Sequence, residues 1–169
     1  MLPKALLLAF APLAAAALLL AGCGLTPMYA GGGQGAVARA LAGVNVSAIE
    51  GKSGWLVRAA VVDRLGAGAD GAPRYRLDVR LDEQLQGLGL VSNDAVTRER
   101  RTLRARYQLV DIATGEIILD ATAGADAGID IVSSEYAVIA AEQTALENLS
   151  HEIAEQIITR VATKLRQAR

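Results

Sequence analysis

Two groups of residues could do chemistry: a lone cysteine and a run of arginines. Cys23 is the only cysteine in 169 residues, and His151 is the only histidine. A single thiol excludes an internal disulfide, a CxxC redox pair and a thiolate zinc cluster. Its setting suggests another use. Leu20-Ala21-Gly22-Cys23 follows an apolar stretch, Ala5 to Ala21, preceded by one positive charge at Lys4. That is the order of a secretory signal, and the four residues match the bacterial lipobox. In that motif the cysteine thiolate takes a diacylglycerol, and small side chains at Ala21 and Gly22 fit the peptidase that cuts just before the cysteine. Residues 1–22 therefore read as a lipoprotein signal peptide, with Cys23 as the lipidation site. The competing reading is a retained membrane span. Against it, the run sits at the short edge of bilayer-spanning length, Pro12 interrupts it, and Gly22 and Gly24 close it. One acyl chain binds a membrane only marginally, whereas two or three hold stably. A triacylated Cys23 would thus anchor the chain to a leaflet. Gly24 stands where an aspartate would retain a lipoprotein in the inner membrane, so the expected address is the periplasmic face of the outer membrane.

The arginines form the second group. Arg98, Arg100, Arg101, Arg104 and Arg106 fall within nine positions. Strand parity puts Arg98, Arg100, Arg104 and Arg106 on one face, and Arg74, Arg76 and Arg80 of the preceding segment can add to it. Guanidinium forks suit phosphate and carboxylate groups. Two readings stay open: a solvated sheet face balanced by Asp78, Asp82 and Glu99, or an anion-binding surface. In an envelope compartment the multivalent anion is lipopolysaccharide, whose lipid A and inner core carry phosphates. A net charge of −1 and 4% aromatic residues argue against nucleic acid as a partner.

Little else points to chemistry. No Ser/His/Asp set and no metal-ligand spacing stand out, and acylation consumes Cys23. The chain reads as a non-enzyme, with no catalytic residues, metal or cofactor. His151 reads as a solvated side chain that Glu147, four residues earlier, could pair with. Gly31-Gly32-Gly33-Gln34-Gly35 lacks the Lys-Ser/Thr ending of a phosphate loop and reads as a flexible tether.

These residues need a scaffold. Val44 to Glu50 alternates apolar and polar residues, as a strand does. Trp55 to Leu65 places Leu56, Ala59, Ala60 and Leu65 at helical spacing, with Arg58 and Asp63 outside, Ser53 as N-cap and Gly66 as stop. Arg74 to Leu85 alternates strictly, with Tyr75, Leu77, Val79 and Leu81 on one side. Thr97 to Asp111 does the same with Leu103, Ala105, Tyr107 and Leu109. Gly87 to Asp94 reads as the loop between them. Thr114-Gly115 marks a hairpin, and Glu116 to Ala123 is the return strand. Ser133-Ser134 then precedes a helix from about Glu135 to Arg166, whose stripe runs Tyr136, Ala140, Leu146, Leu149, Ile153, Ile157, Val161 and Leu165. The order β-α-β-β-β-α predicts an α+β two-layer sandwich, with a four-stranded sheet and two helices on one face. The expected layout is a signal peptide at 1–22, a lipidated N-terminus and flexible linker at 23–43, and a single domain at 44–169.

An ordered set of short motifs supports a family resemblance. Cys23-Gly24-Leu25-Thr26-Pro27-Met28-Tyr29 opens it. Tyr75-x-Leu77-x-Val79-x-Leu81, Thr97-Arg98, and Ala105-x-Tyr107-x-Leu109-x-Asp111 with Thr114-Gly115 follow. Tyr136-Ala137, Ala141-Glu142 and Ala145 lead the last helix. Together they resemble the outer-membrane LPS-assembly lipoproteins of the LptE family, in the branch found in alphaproteobacteria. Leu25 departs from the aromatic usual there. The resemblance implies a plug and assembly factor for the LPS-insertion β-barrel of the outer membrane. It also implies binding of lipopolysaccharide through basic residues, which no motif marks. Arg98, Arg100, Arg104 and Arg106 are the candidates from the sequence itself. A periplasmic lipid-transport auxiliary lipoprotein and a ligand-binding envelope module are the alternatives.

Overall fold

The computed structural model describes residues 35–66, 72–90 and 96–167. Elements run α1 (Ala36–Ala42), β1 (Val44–Val46), α2 (Gly51–Leu65), β2 (Tyr75–Leu90), β3 (Val96–Asp111), β4 (Ile117–Asp130) and α3 (Glu135–Gln167). The strands form one sheet in the order β1-β2-β3-β4. β1 runs parallel to β2, which the α2 crossover makes possible; the other pairs are antiparallel. This is the α+β sandwich expected from the sequence, with the helices on one face. The lipobox and Cys23 lie outside the described residues.

The alternation in β2 and β3 acts as predicted. Tyr75, Leu77 and Val79 are buried, as are Leu103, Ala105, Tyr107 and Leu109. They pack beneath Leu149, Ile153, Ile157, Val161 and Leu165 of α3 in one core. Ser150 is buried among these residues, and its hydroxyl donates to the Leu146 carbonyl at 2.7 Å. That bond removes the cost of hiding a polar group.

Several boundaries differ from the sequence reading. Residues 36–42, expected within the tether, form α1, whose Val37 and Leu41 enter the core. The first strand ends at Val46 rather than Glu50. The first predicted helix starts at Gly51, not Trp55, and Glu50 rather than Ser53 holds the N-cap position, without a side-chain cap bond. Its buried side is Gly54, Val57, Ala60, Val61 and Leu65; Ala59 is exposed and Leu56 only half-buried. Gly54 has a packing role there, because a Cβ would stand 2.6 Å from the Ile49 carbonyl oxygen.

β2 runs on through Gly87 to Leu90, in what was expected as loop, and β4 continues past Ala123 to Asp130. Tyr136 and Ala140 leave the predicted stripe: burial on α3 begins at Ala145, and Tyr136 is 88% exposed. α2 is also much shorter than the strand beside it. At 1.5 Å per residue α2 covers about 22 Å, while β2 at 3.4 Å per residue reaches about 54 Å. Beyond Leu81 the helix side of β2 turns to Glu83, which meets Arg101, while α3 packs on β3 and β4; Gln84 and Gln86 belong to the opposite, polar side.

Candidate functional site: an arginine-aspartate ladder

The helix-free face of the sheet is set by parity. On β2 it presents Arg76, Asp78, Arg80 and Asp82. β3 contributes Gln108, Arg106, Arg104, Thr102, Arg100 and Arg98, and β4 contributes Asp120, Thr122, Gly124, Asp126, Gly128 and Asp130. Arg98, Arg100, Arg104 and Arg106 do form one row along the central strand, as their spacing predicts. Arg101 points to the other side. There it meets Glu83 at 2.9 Å and donates to the Glu142 carbonyl of α3 at 2.6 Å.

The row is partnered, and mainly from β4. Arg98 meets Asp130 at 2.8 Å, Arg104 meets Asp126 at 3.1 Å, and Arg106 meets Asp120 at 2.9 Å. Cross-strand register puts Gly124 opposite Arg104 and Thr122 opposite Arg106, so these two side chains reach diagonally and splay apart. Arg104 lies over Gly124, where a Cβ would stand 2.6 Å from its guanidinium; glycine makes room for that path. Thr102 donates to Asp126 at 2.6 Å, and Gln108 donates to Asp120 at 2.8 Å.

These bonds set the charges. The Thr102 hydroxyl, then Arg104, holds the Asp126 carboxyl below the usual carboxylate range. Arg106, then Gln108, does the same for Asp120. The Asp120 bond in turn raises Arg106.

Balance therefore comes from Asp120, Asp126 and Asp130, which the sequence reading did not single out, more than from Asp78, Asp82 and Glu99. Asp78 pairs with Arg76 at 3.0 Å and accepts from Ser47 at 2.6 Å. Glu99 sits on the opposite side of the sheet. Six arginines and five aspartates thus share the face, which is mixed rather than uniformly basic. Arg80 and Arg106 stand directly opposite each other on neighbouring strands, a like-charge pair of which Arg106 is held by Asp120. Both border two hollows. One, of about 710 Å³, also takes in Arg104, Thr122 and Asp126; the other, of about 510 Å³, takes in Ser47, Asp78 and Gln108.

Arg74 lies at the near edge, with its guanidinium 5.1 Å from the Tyr75 ring centroid and 3.7 Å from Asp111. His151 is exposed, and Glu147 accepts a bond from Gln143 at 2.6 Å. Among the described residues there is no cluster of metal-ligating side chains, and no helix is long and apolar enough to cross a membrane.

A four-stranded sheet with helices on one face makes an α+β sandwich, and that fold recurs in bacterial lipoproteins of known structure. A putative lipoprotein from Caulobacter crescentus CB15 superposes with a TM-score of 0.68 at 25% identity, over 80% of this chain and 98% of that one. The rare lipoprotein B from Shewanella oneidensis gives 0.58 at 11% identity, over 75% and 98%. A minor lipoprotein from Acinetobacter baumannii gives 0.51 at 16%, over 71% and 91%. The latter two speak to fold alone. No curated protein matches the chain. The family model LptE, Lipopolysaccharide-assembly, matches residues 41–161. The chain belongs to the LptE lipopolysaccharide-assembly family.

Proposed function

We propose that this chain is an outer-membrane lipoprotein of the lipopolysaccharide translocon, acting as plug and assembly factor for the β-barrel that inserts lipopolysaccharide. Family membership over residues 41–161 is the observation that carries the reading. In it, cleavage after Gly22 leaves Cys23 as an acylated first residue in the inner leaflet of the outer membrane. The domain works by binding and has no catalytic task.

Lipopolysaccharide phosphates would meet the row Arg98, Arg100, Arg104 and Arg106. The ladder adds a condition to this contact. Arg98, Arg104 and Arg106 already hold aspartates, so a phosphate must compete with Asp130, Asp126 and Asp120. Arg100, opposite Gly128 and Gln86, and Arg80 beside Arg106 offer donors that such competition spares. A forked guanidinium can hold a carboxylate oxygen and a phosphate oxygen together.

Replacing Arg98, Arg100, Arg104 and Arg106 with glutamate tests the contact. Lipopolysaccharide binding by the purified protein should fall at least about tenfold, and the wild-type affinity should weaken as salt rises. Equal affinity for both proteins across the salt titration would remove the arginines from the reading.

A further inference from the structure

Helix α2 is apolar on two opposite sides. Val57, Ala60, Val61 and Leu65 are buried against the core. Trp55, Ala59 and Val62, at i, i+4 and i+7, form a second ridge on the opposite side of the same helix. Trp55 is 68% exposed and Val62 is 41% exposed. One ridge pays no core role, yet it holds the chain's only tryptophan.

The flanks of the ridge are basic. Lys52 and Arg58 are exposed on either side of it, with Asp63 the acid on this outer side; Arg64 lies on the opposite side of the helix and donates to the Ala60 carbonyl at 3.2 Å. Lys52 also donates to Gln143 of α3. Another exposed apolar group, Val132, Tyr136 and Ile139 around the start of α3, has a different setting. No lysine or arginine falls between residues 131 and 142, where Glu135 and Glu142 are the charged residues besides none of positive sign.

The entry of the chain places the ridge. α1 packs on α3 and touches α2, so the chain enters the domain through the helix layer that carries Trp55. Cys23 precedes Gly35 by 12 residues, which span at most about 42 Å when taut. An indole with an apolar body and one N–H donor suits the boundary between headgroups and acyl chains. Basic neighbours suit an anionic surface.

We propose that the Trp55-Ala59-Val62 ridge of α2 rests in the headgroup layer of the leaflet that holds the acylated Cys23, with Lys52 and Arg58 against anionic lipid. This rests on the lipid-anchor reading above. It sets the orientation of the anchored domain before a protein partner engages it: helix layer toward the membrane, arginine-aspartate ladder away from it.

Because Trp55 is the sole tryptophan, its fluorescence reports the contact directly. The full acylated protein is reconstituted into vesicles of phosphatidylethanolamine and phosphatidylglycerol, with and without acyl chains brominated near the headgroup. Emission should shift to the blue and lose about half its intensity to the brominated lipid, as for a tryptophan at the interface. Lys52→Glu with Arg58→Glu should reduce that quenching, and unchanged quenching in the double variant would overturn the role of the two basic residues. If the protein floats with the vesicles but its emission stays water-exposed and unquenched, the ridge contact is overturned while the anchor stands, and the ridge belongs to a protein partner. If the protein does not float and the Cys23 peptide carries no added lipid mass, the anchor reading falls and this contact falls with it.

Discussion

Asp120 and Asp126 show how single residues set the chemistry of the open face. Their carboxyls lie below the usual range because Arg106 and Thr102, respectively, bond the charged form. A carboxyl lowered in this way contributes stability above its ordinary range and loses it as pH falls through the lowered value. Both groups are solvent-exposed, so the contribution is small. The acid-unfolding profile of Asp120→Asn with Asp126→Asn should therefore be flatter below about pH 4 than that of the wild type; parallel profiles by circular dichroism would refute the assignment. Gly54 gives a sharper test. Glycine to alanine inside a helix ordinarily stabilises by up to about 1 kcal/mol. Here the new Cβ would meet backbone of Ile49 at 2.6 Å and 2.8 Å, so Gly54→Ala should lower stability by about 1–3 kcal/mol. A raised Tm would show that the Ile49 turn yields freely. At this scale the arginine row was legible from strand parity alone. Its aspartate partners were not, because Asp120, Asp126 and Asp130 lie far along the chain and depend on the β3–β4 register.

Elements whose pattern is strong were legible with nearly correct limits. β2 and β3 alternate over Tyr75–Leu81 and Leu103–Leu109, and α3 repeats aliphatic residues from Leu146 to Leu165. Elements held by tertiary contact were not. α1 has seven residues, too few to hold a helix alone, and needs Val37 and Leu41 in the core. The far part of β4, Gly124-Ala125-Asp126-Ala127-Gly128, has the composition of a loop. It is a strand because β3 pairs with it and because Gln156 clasps its outer edge, bonding the Gly124 N–H at 3.2 Å and carbonyl at 3.1 Å. The helical stripe was overextended to Tyr136 because spacing alone does not reveal where the opposing sheet surface stops. Arg101 is the link between α3 and the far hairpin, through Glu83 and the Glu142 carbonyl. Arg101→Met keeps its length and removes both bonds. Amide exchange should then quicken in residues 135–142 while residues 149–161 keep their protection. Uniform protection in both segments would show that the bridge holds nothing.

The whole molecule has a helix-covered core on one side of the sheet, reaching as far as Leu103, Ala125 and Ile129, and an ionic ladder on the other. Toward the far end β2 and β3 run on without α2, the ladder lies open on one face, and α3 begins with an exposed turn. Membership of a lipopolysaccharide-assembly family and the open ladder face together fit the proposed role, contact at an envelope surface. The sandwich was legible as β-α-β-β-β-α from the sequence; the far end of the sheet came from element lengths that only strand pairing fixes. In the proposed function this LptE-family chain is a lipoprotein held by the lipopolysaccharide-insertion barrel. Detergent extraction of native outer membranes carrying a tagged chain, followed by mass spectrometry of what co-purifies, tests it most directly. An acylated Cys23 and one outer-membrane β-barrel protein in near-equal amount are expected. A chain that purifies alone, or with an inner-membrane transporter instead, would contradict it.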